Sequence, residues 1–315
     1  MSSHRPSWKT WSIPPLLALS ACAQPALELH VSQTDSRVSS TSLALRATQA
    51  ETGEVVDLGD AQINVEVAEG EGWSSVGTEV KSADKARLDV VLVVDNSGSQ
   101  ASDEERIREA VRAFGHKLFD LTDFARVGLV RVSTESTVVS ELTADRAQLD
   151  ASLEKLFISN GYTALYDGVR LANEVLQRGY EPDDPCTTPV FRGVVVFTDG
   201  RDNNSADEHD TRYEGDGIDT SYGMLTQLKV GDARTPIFSV GVGDRVDEAT
   251  LWDLADDTGG LYAAIKNYQK LQGALVGTAH SLWNARFVCV PGKHERVRVK
   301  LTTDDGEESE VIVVI

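Results

Sequence analysis

Leu88-Asp-Val-Val-Leu-Val-Val-Asp95-Asn-Ser97-Gly-Ser99 is the stretch whose reading decides the fold. Residues 90–94 are an unbroken apolar run, which suits a strand buried on both faces of a parallel sheet. Carboxylate and hydroxyl side chains follow at once. Mostly apolar runs recur at 127–132, 194–197 and 237–242. Helical patterns lie between them. Ser102 with Glu105 forms a capping box, after which Ile107, Val111, Phe114 and Leu118 share one apolar face. Leu149, Leu153 and Leu156 line a second helix. Leu165, Val169, Ala172 and Leu176 line a third, which stops at Gly179. Leu251, Leu254 and Ala255 mark another, ended by Gly259-Gly260, and a final helix is expected over 268–283. Strands alternating with helices predict a doubly wound, mostly parallel, Rossmann-like α/β domain.

Outside that domain the period changes from runs to alternation. Leu27-Glu-Leu-His-Val31, Ser42-Leu-Ala-Leu-Arg46 and Gln62-Ile-Asn-Val-Glu-Val67 alternate apolar and polar residues, as half-buried strands do. Glu51-Thr-Gly53 and Gly59-Asp60 supply turns, and the segment 70–77 is expected as a loop. After the final helix, Arg296-Val-Arg-Val-Lys-Leu301 and Glu310-Val-Ile-Val-Val-Ile315 flank Asp304-Asp305-Gly306 and predict a hairpin. A lone hairpin is marginal in water. The expectation is a small antiparallel β-sandwich built from both ends of the chain, with two separate β units as the alternative. The domains are then 1–22 as an export signal, 23–86 as an N-terminal β module, 87–285 as the α/β domain and 286–315 as C-terminal strands joining the module.

Charge excludes one class of partner. Lys and Arg total 30 against 50 Asp and Glu, a net charge of −20, and that field repels nucleic acid while attracting cations. At the N-terminus, Arg5 and Lys9 precede a short apolar run over 13–21. Leu19-Ser20-Ala21-Cys22 resembles the lipobox of bacterial lipoproteins, in which the cysteine is acylated. Ala21-Cys22-Ala23 also fits ordinary signal cleavage before Gln24. The resemblance implies a bacterial cell-envelope protein, an outer-membrane lipoprotein touching the membrane only through its lipid. A periplasmic or secreted protein is the alternative. Cys186 and Cys289 remain, and two cysteines in an oxidising compartment are either a disulfide or two unrelated buried thiols.

The chemistry sits in three segments. Asp95-Asn-Ser97-Gly-Ser99 follows the first buried strand. Asn160-Gly161-Tyr162-Thr163-Ala164-Leu165-Tyr166-Asp167 precedes the third helix, and Thr198-Asp199-Gly200 follows another buried strand. Together with Thr258-Gly-Gly-Leu-Tyr262 they resemble, in order, the metal-ion-dependent adhesion site of von Willebrand factor A domains, over about 88–283. The resemblance implies a six-stranded sheet. It implies direct metal binding by Ser97, Ser99 and Thr163, with Asp95 and Asp199 acting largely through water. Oxygen-only donors at the C-terminal ends of parallel strands independently suit a hard cation, Mg²⁺ or else Ca²⁺ or Mn²⁺. The resemblance further implies an open metal position for an Asp or Glu carboxylate of a partner protein.

The segment 201–219 is strongly acidic, and its Asp202, Asp207, Glu208, Asp210, Glu214, Asp216 and Asp219 follow Asp199. A second Ca²⁺ site, a specificity rim and a plain solvated loop are all open readings. Topology places the loop with Cys186 and the end of the final helix with Cys289 on the floor opposite the metal face, which favours a disulfide tying that helix to the sheet. No G-x-S-x-G or H-E-x-x-H occurs, and Gly241-Val-Gly243 is too short for a dinucleotide fingerprint. The sequence therefore predicts a cation-dependent binding protein and not an enzyme. An envelope scaffold with a dispensable metal site is the alternative.

Overall fold

Alternating residues at the N-terminus fold into β1 (Leu27–Arg37), β2 (Ser40–Gln49), β3 (Val55–Val56), β4 (Gln62–Glu69), β5 (Gly72–Ser75) and β6 (Glu79–Ser82). The chain then runs through β7 (Arg87–Asp95), α1 (Glu104–Leu121), β8 (Ala125–Val132), β9 (Thr137–Thr143), α2 (Arg146–Leu153), α3 (Leu165–Arg178) and β10 (Val190–Thr198). There follow α4 (Tyr222–Leu225), β11 (Lys229–Val230), β12 (Ala233–Arg234), β13 (Ile237–Val242), α5 (Glu248–Thr258) and β14 (Tyr262–Ile265). The chain closes with β15 (Arg286–Pro291), β16 (Arg296–Thr302) and β17 (Glu308–Val314). This computed structural model describes residues 27–37, 40–50, 55–98, 104–156, 161–181, 186–206, 220–242, 246–265 and 285–314. The N-terminal segment 1–22, the turn at 51–53, the capping serine Ser102 and the final helix expected over 268–283 lie outside the described residues.

The apolar runs form a six-stranded sheet in the order β14-β13-β10-β7-β8-β9. All its pairings are parallel except β8 with the edge strand β9. Side chains alternate across the central strand. Leu88, Val90, Leu92 and Val94 join one core with Ile107, Val111, Phe114 and Leu118 of α1 and Leu149 and Leu153 of α2. Val91 and Val93 join another with Leu165, Val169, Ala172 and Leu176 of α3 and Leu254 of α5. Covering both faces is why these strands read as apolar runs.

Two antiparallel sheets pack below. One has the path β1-β2-β15-β6, the other β17-β16-β4-β5. Strands from the two ends of the chain thus sit side by side. Leu43, Leu45 and Ala47 meet Val65, Val67, Val288, Val297, Val299 and Leu301 in one shared core, as a β-sandwich requires.

Two expectations need correction. The segment 70–77 is not a plain loop, since Gly72–Ser75 is strand β5 paired with β4. Its Trp73 lies on the outer face under Arg298, whose guanidinium is 4.1 Å from the ring centroid. The second correction concerns β2, whose Ser40–Thr48 are buried on both faces. Its polar side turns toward the α/β domain, where Ala44 and Phe287 join that domain's core. Arg46, 1% exposed, stacks on Phe238 at 4.9 Å and donates to the Gly259 carbonyl at the end of α5. A strand that reads as half-solvated is the middle layer between two cores.

Candidate metal centre

Asp95 is the last residue of β7, and its carboxylate is 1% exposed. The Ser97 N–H donates to Oδ1 at 2.9 Å and the Thr198 hydroxyl to Oδ2 at 2.8 Å. Among the described residues no Lys, Arg or His pairs with it. Burial pushes its pKa up to about 6, and the neighbouring Asp199 charge adds to the rise. The next residues bend sharply, and the Asn96 N–H donates to the Val132 carbonyl at 2.8 Å, which ties this loop to β8. Ser97 is 2% exposed. Ser99 lies outside the described residues.

Thr163, 4% exposed, stands just before α3. Its loop presses on the residues just past β8: a Cβ at Gly161 would lie 2.0 Å from Thr134 Oγ1, so any side chain there would have to displace that hydroxyl. The Tyr162 N–H donates to that same hydroxyl at 3.2 Å, and the Ala164 N–H to the Ser133 carbonyl at 2.9 Å.

Asp199 follows β10. Thr198 Oγ1 accepts the Gly200 N–H at 3.0 Å while donating to Asp95, so one hydroxyl joins two of the candidate loops. The Asp199 carbonyl accepts the Asp247 N–H at 2.8 Å. Gly200 has φ +88°, and a Cβ there would stand 3.0 Å from Leu251 Cγ. The left-handed turn and the close approach of α5 both require glycine.

The third helix begins without a local cap, since its N-cap residue is Ala164. Its first amides are instead met from residues 202–206. Asp202 Oδ1 accepts the Leu165 and Tyr166 N–H groups at 2.8 and 3.3 Å. Asn203 Oδ1 accepts the Thr163 N–H at 2.8 Å. The Thr163 carbonyl in turn accepts the N–H groups of Asn203 and Asn204 at 3.0 and 3.1 Å. Sequence reading grouped Asp202 with the acidic loop; the structure makes it a helix cap. The signal was present in the run Asp202-Asn-Asn-Ser205, all capping residue types, but the helix it caps lies earlier in the chain. Residues 207–219 lie outside the described residues.

The structure thus brings Asp95, Ser97, Thr163 and Asp199 to one edge of the sheet, through Thr198 and the 202–206 segment. Among the described residues no three His, Cys, Asp or Glu side chains assemble into a metal cage. The donors are carboxylates mixed with hydroxyls, around a buried acid that no cation among the described residues pairs with. That set fits a hard divalent ion and not a thiolate- or imidazole-loving one.

Away from this edge, Cys186 and Cys289 form a disulfide with Cα atoms 5.1 Å apart. Cys289 lies on β15. The bridge therefore joins the floor of the α/β domain to the sandwich, and not to the final helix as topology had suggested. Lys81 of β6 reinforces this seam by donating to the Cys186 and Thr187 carbonyls at 2.7 and 3.0 Å.

Comparison with known proteins finds matches to solved structures and, over part of the chain, to one family model. Among solved structures, a von Willebrand factor type A protein from Catenulispora acidiphila is 14% identical. The match covers 92% of this chain and 74% of that one, with a TM-score of 0.49. The PilB minor pilin from Streptococcus sanguinis is 15% identical over 82% of this chain and 78% of that one, with a TM-score of 0.48. Proximal thread matrix protein 1 from the mussel byssus, with a zinc-occupied MIDAS motif, is 18% identical over 68% of this chain, at a TM-score of 0.48. This chain spans 50% of the length of that mussel protein. Residues 90–201, which contain all three candidate ligand segments, match the family of the von Willebrand factor type A domain.

Proposed function

We propose that this chain is a cell-envelope protein that binds a partner protein through a divalent cation, Mg²⁺ or else Ca²⁺ or Mn²⁺. The ion is held by Asp95, Ser97, Ser99, Thr163 and Asp199. The observation that carries the reading is Asp95, a fully buried carboxylate with hydroxyl and amide donors and, among the described residues, no protein cation beside it. Burying an unpaired acid is expensive unless something offsets its charge, and a cation does so directly. When bound, the ion supplies an electrophile with an open position for an outside Asp or Glu carboxylate. The chain's own part is to fix the oxygens and to frame the contact. Tyr162, 64% exposed beside Thr163, is placed to touch a docked partner. Nucleic acid is not a partner, because the net charge of −20 opposes it. Among the described residues of the site no nucleophile–base pair is assembled, which favours binding over catalysis.

In this reading residues 1–22 direct export, Cys22 carries the lipid, and an outer-membrane lipoprotein results. Residues 23–86 and 286–315 form a stalk beneath an α/β head at 87–285, so the metal edge faces away from the membrane. None of the described helices is long and apolar enough to cross a bilayer.

Thermal unfolding with Mg²⁺ against EDTA tests the site. A ligand that binds only the native state, at a hundred times its Kd, adds about 2.7 kcal/mol. Wild type should gain such a shift, and Asp95→Asn and Thr163→Ala should not. A wild-type protein indifferent to saturating Mg²⁺, Ca²⁺ and Mn²⁺ would leave the scaffold reading standing. A pull-down from envelope extracts in Mg²⁺ and in EDTA identifies the partner. Membrane fractionation of Cys22→Ser tests the anchor.

A further inference from the structure

We infer that residues 202–206 are a clamp that positions Thr163 for the cation, making Asp202 and Asn203 positioning residues of the site. This rests on the cation-binding reading of Asp95, Thr163 and Asp199.

The geometry is two-sided. Asn203 holds Thr163 from both ends, its side chain accepting the Thr163 N–H at 2.8 Å while its own N–H donates to the Thr163 carbonyl at 3.0 Å. Asp202 anchors the next two residues, accepting the Leu165 and Tyr166 N–H groups. The Ser205 hydroxyl donates to Asp202 Oδ1 at 2.6 Å and accepts the Asp167 N–H at 3.0 Å. Asp167 closes the circle, since its carboxylate accepts the Ala206 N–H at 3.2 Å to each oxygen. Asn204 reaches the other way and donates from its side chain to the Thr134 carbonyl at 2.6 Å.

Helix α3 needs this because Ala164 provides no capping side chain, leaving its first amides without local acceptors. A carboxylate at that end also matches the helix dipole. The consequence is mechanical. The segment that fixes Thr163 begins three residues after Asp199, so two candidate ligands on different loops are held by one continuous stretch of backbone. Neither can shift without the other, and the oxygens are set before an ion arrives.

Outer-shell partners of metal ligands typically carry about 10–100-fold in metal affinity. Asp202→Ala and Asn203→Ala in the full chain should therefore raise the Kd for Mg²⁺ and Mn²⁺, measured by titration calorimetry, by about that factor. Asp202→Asn keeps an acceptor oxygen and should stay within about threefold of wild type. The control is Asp145→Ala. Asp145 caps α2 by accepting the Ala147 and Gln148 N–H groups, so its loss should lower stability in EDTA about as much as the loss of Asp202 does, without moving the cation Kd. Hydrogen exchange at the Leu165 and Tyr166 amides should rise in Asp202→Ala and not in Asp145→Ala. Cation binding that is indifferent to both Asp202→Ala and Asn203→Ala overturns the clamp alone. A wild-type chain that binds neither Mg²⁺ nor Mn²⁺ overturns the site, and the clamp with it.

Discussion

Strand β7 buries an aspartate at each end, and the two are handled in opposite ways. Asp89, at the floor, and Asp95, at the upper edge, are each 1% exposed. They lie roughly 20 Å apart along the strand. Arg126 grips Asp89 with two parallel hydrogen bonds of 2.8 and 2.9 Å, while Arg87 and Arg192 stand 3.5 and 3.8 Å away. Glu181 then bridges Arg87 and Arg126 at the surface. The floor carboxylate is neutralised from within the chain. The upper one is surrounded by hydroxyls, amides and a second acid. Equal burial with unequal compensation separates a structural ion pair from the edge proposed to hold an external cation.

The comparison breaks most readily at the floor. Asp89→Ala would remove the acid that buried Arg192 faces and leave Arg126 only Glu181, at the surface, as counter-ion, and removing one partner of a buried pair costs about 3–5 kcal/mol. Urea unfolding should show that loss equally in Mg²⁺ and in EDTA. A loss that cation reverses would mean the two ends are not independent. Next in size is the seam beneath. Cys186 and Cys289 are 103 residues apart, and opening so long a loop costs on the order of 3–5 kcal/mol. Cys289→Ser should lower the unfolding midpoint by that amount while leaving cation affinity unchanged, because the bridge lies on the floor.

A pH experiment sharpens the contrast. Asp95 has its folded pKa raised to about 6, above the value near 3.8 it takes when unfolded. The folded state therefore holds the extra proton between those limits. The contribution of Asp95 to stability is full below the unfolded value and is lost as pH rises through about 6. In EDTA, wild type relative to Asp95→Asn should lose on the order of 1–3 kcal/mol between pH 4 and 7, and saturating Mg²⁺ should cancel that loss. The difference between variants is needed because His30 works the other way. Burial, with Arg46 adding, holds its ring neutral down to about 4, so it costs stability as pH falls below its unfolded value. The smallest effect is that of Asp95→Asn on metal-free stability at about pH 4, where the wild-type acid is itself largely protonated. The amide, like the neutral acid, keeps one acceptor oxygen, so the change should stay within about 1 kcal/mol. A large loss would mean Asp95 is structural after all.

The two β7 aspartates also show what can be read without coordinates. Asp95 announces itself because Ser97 and Ser99 follow at fixed spacing and Thr163 and Asp199 occur in family order. Asp89 carries no such mark. A lone acid near the start of an apolar run gains meaning only when Arg126 and Arg192 arrive on the two neighbouring strands. The same holds for Asp202, whose helix lies well before it in the chain. Arg46 sits in an alternating strand that reads as half-exposed, yet it ends fully buried against Phe238.

By itself, then, the sequence determined the doubly wound domain, its apolar strands and helices, the alternating strands at both ends and the order of the candidate ligands. Those are local properties of period, turn chemistry and spacing. Only the tertiary structure decided that β15 enters the sheet of β2 and β6, that Cys289 staples the sandwich and not a helix, and that a segment beyond Asp199 caps α3. Each of those depends on which surfaces meet once the cores form, and on where buried amides and charges must then find partners.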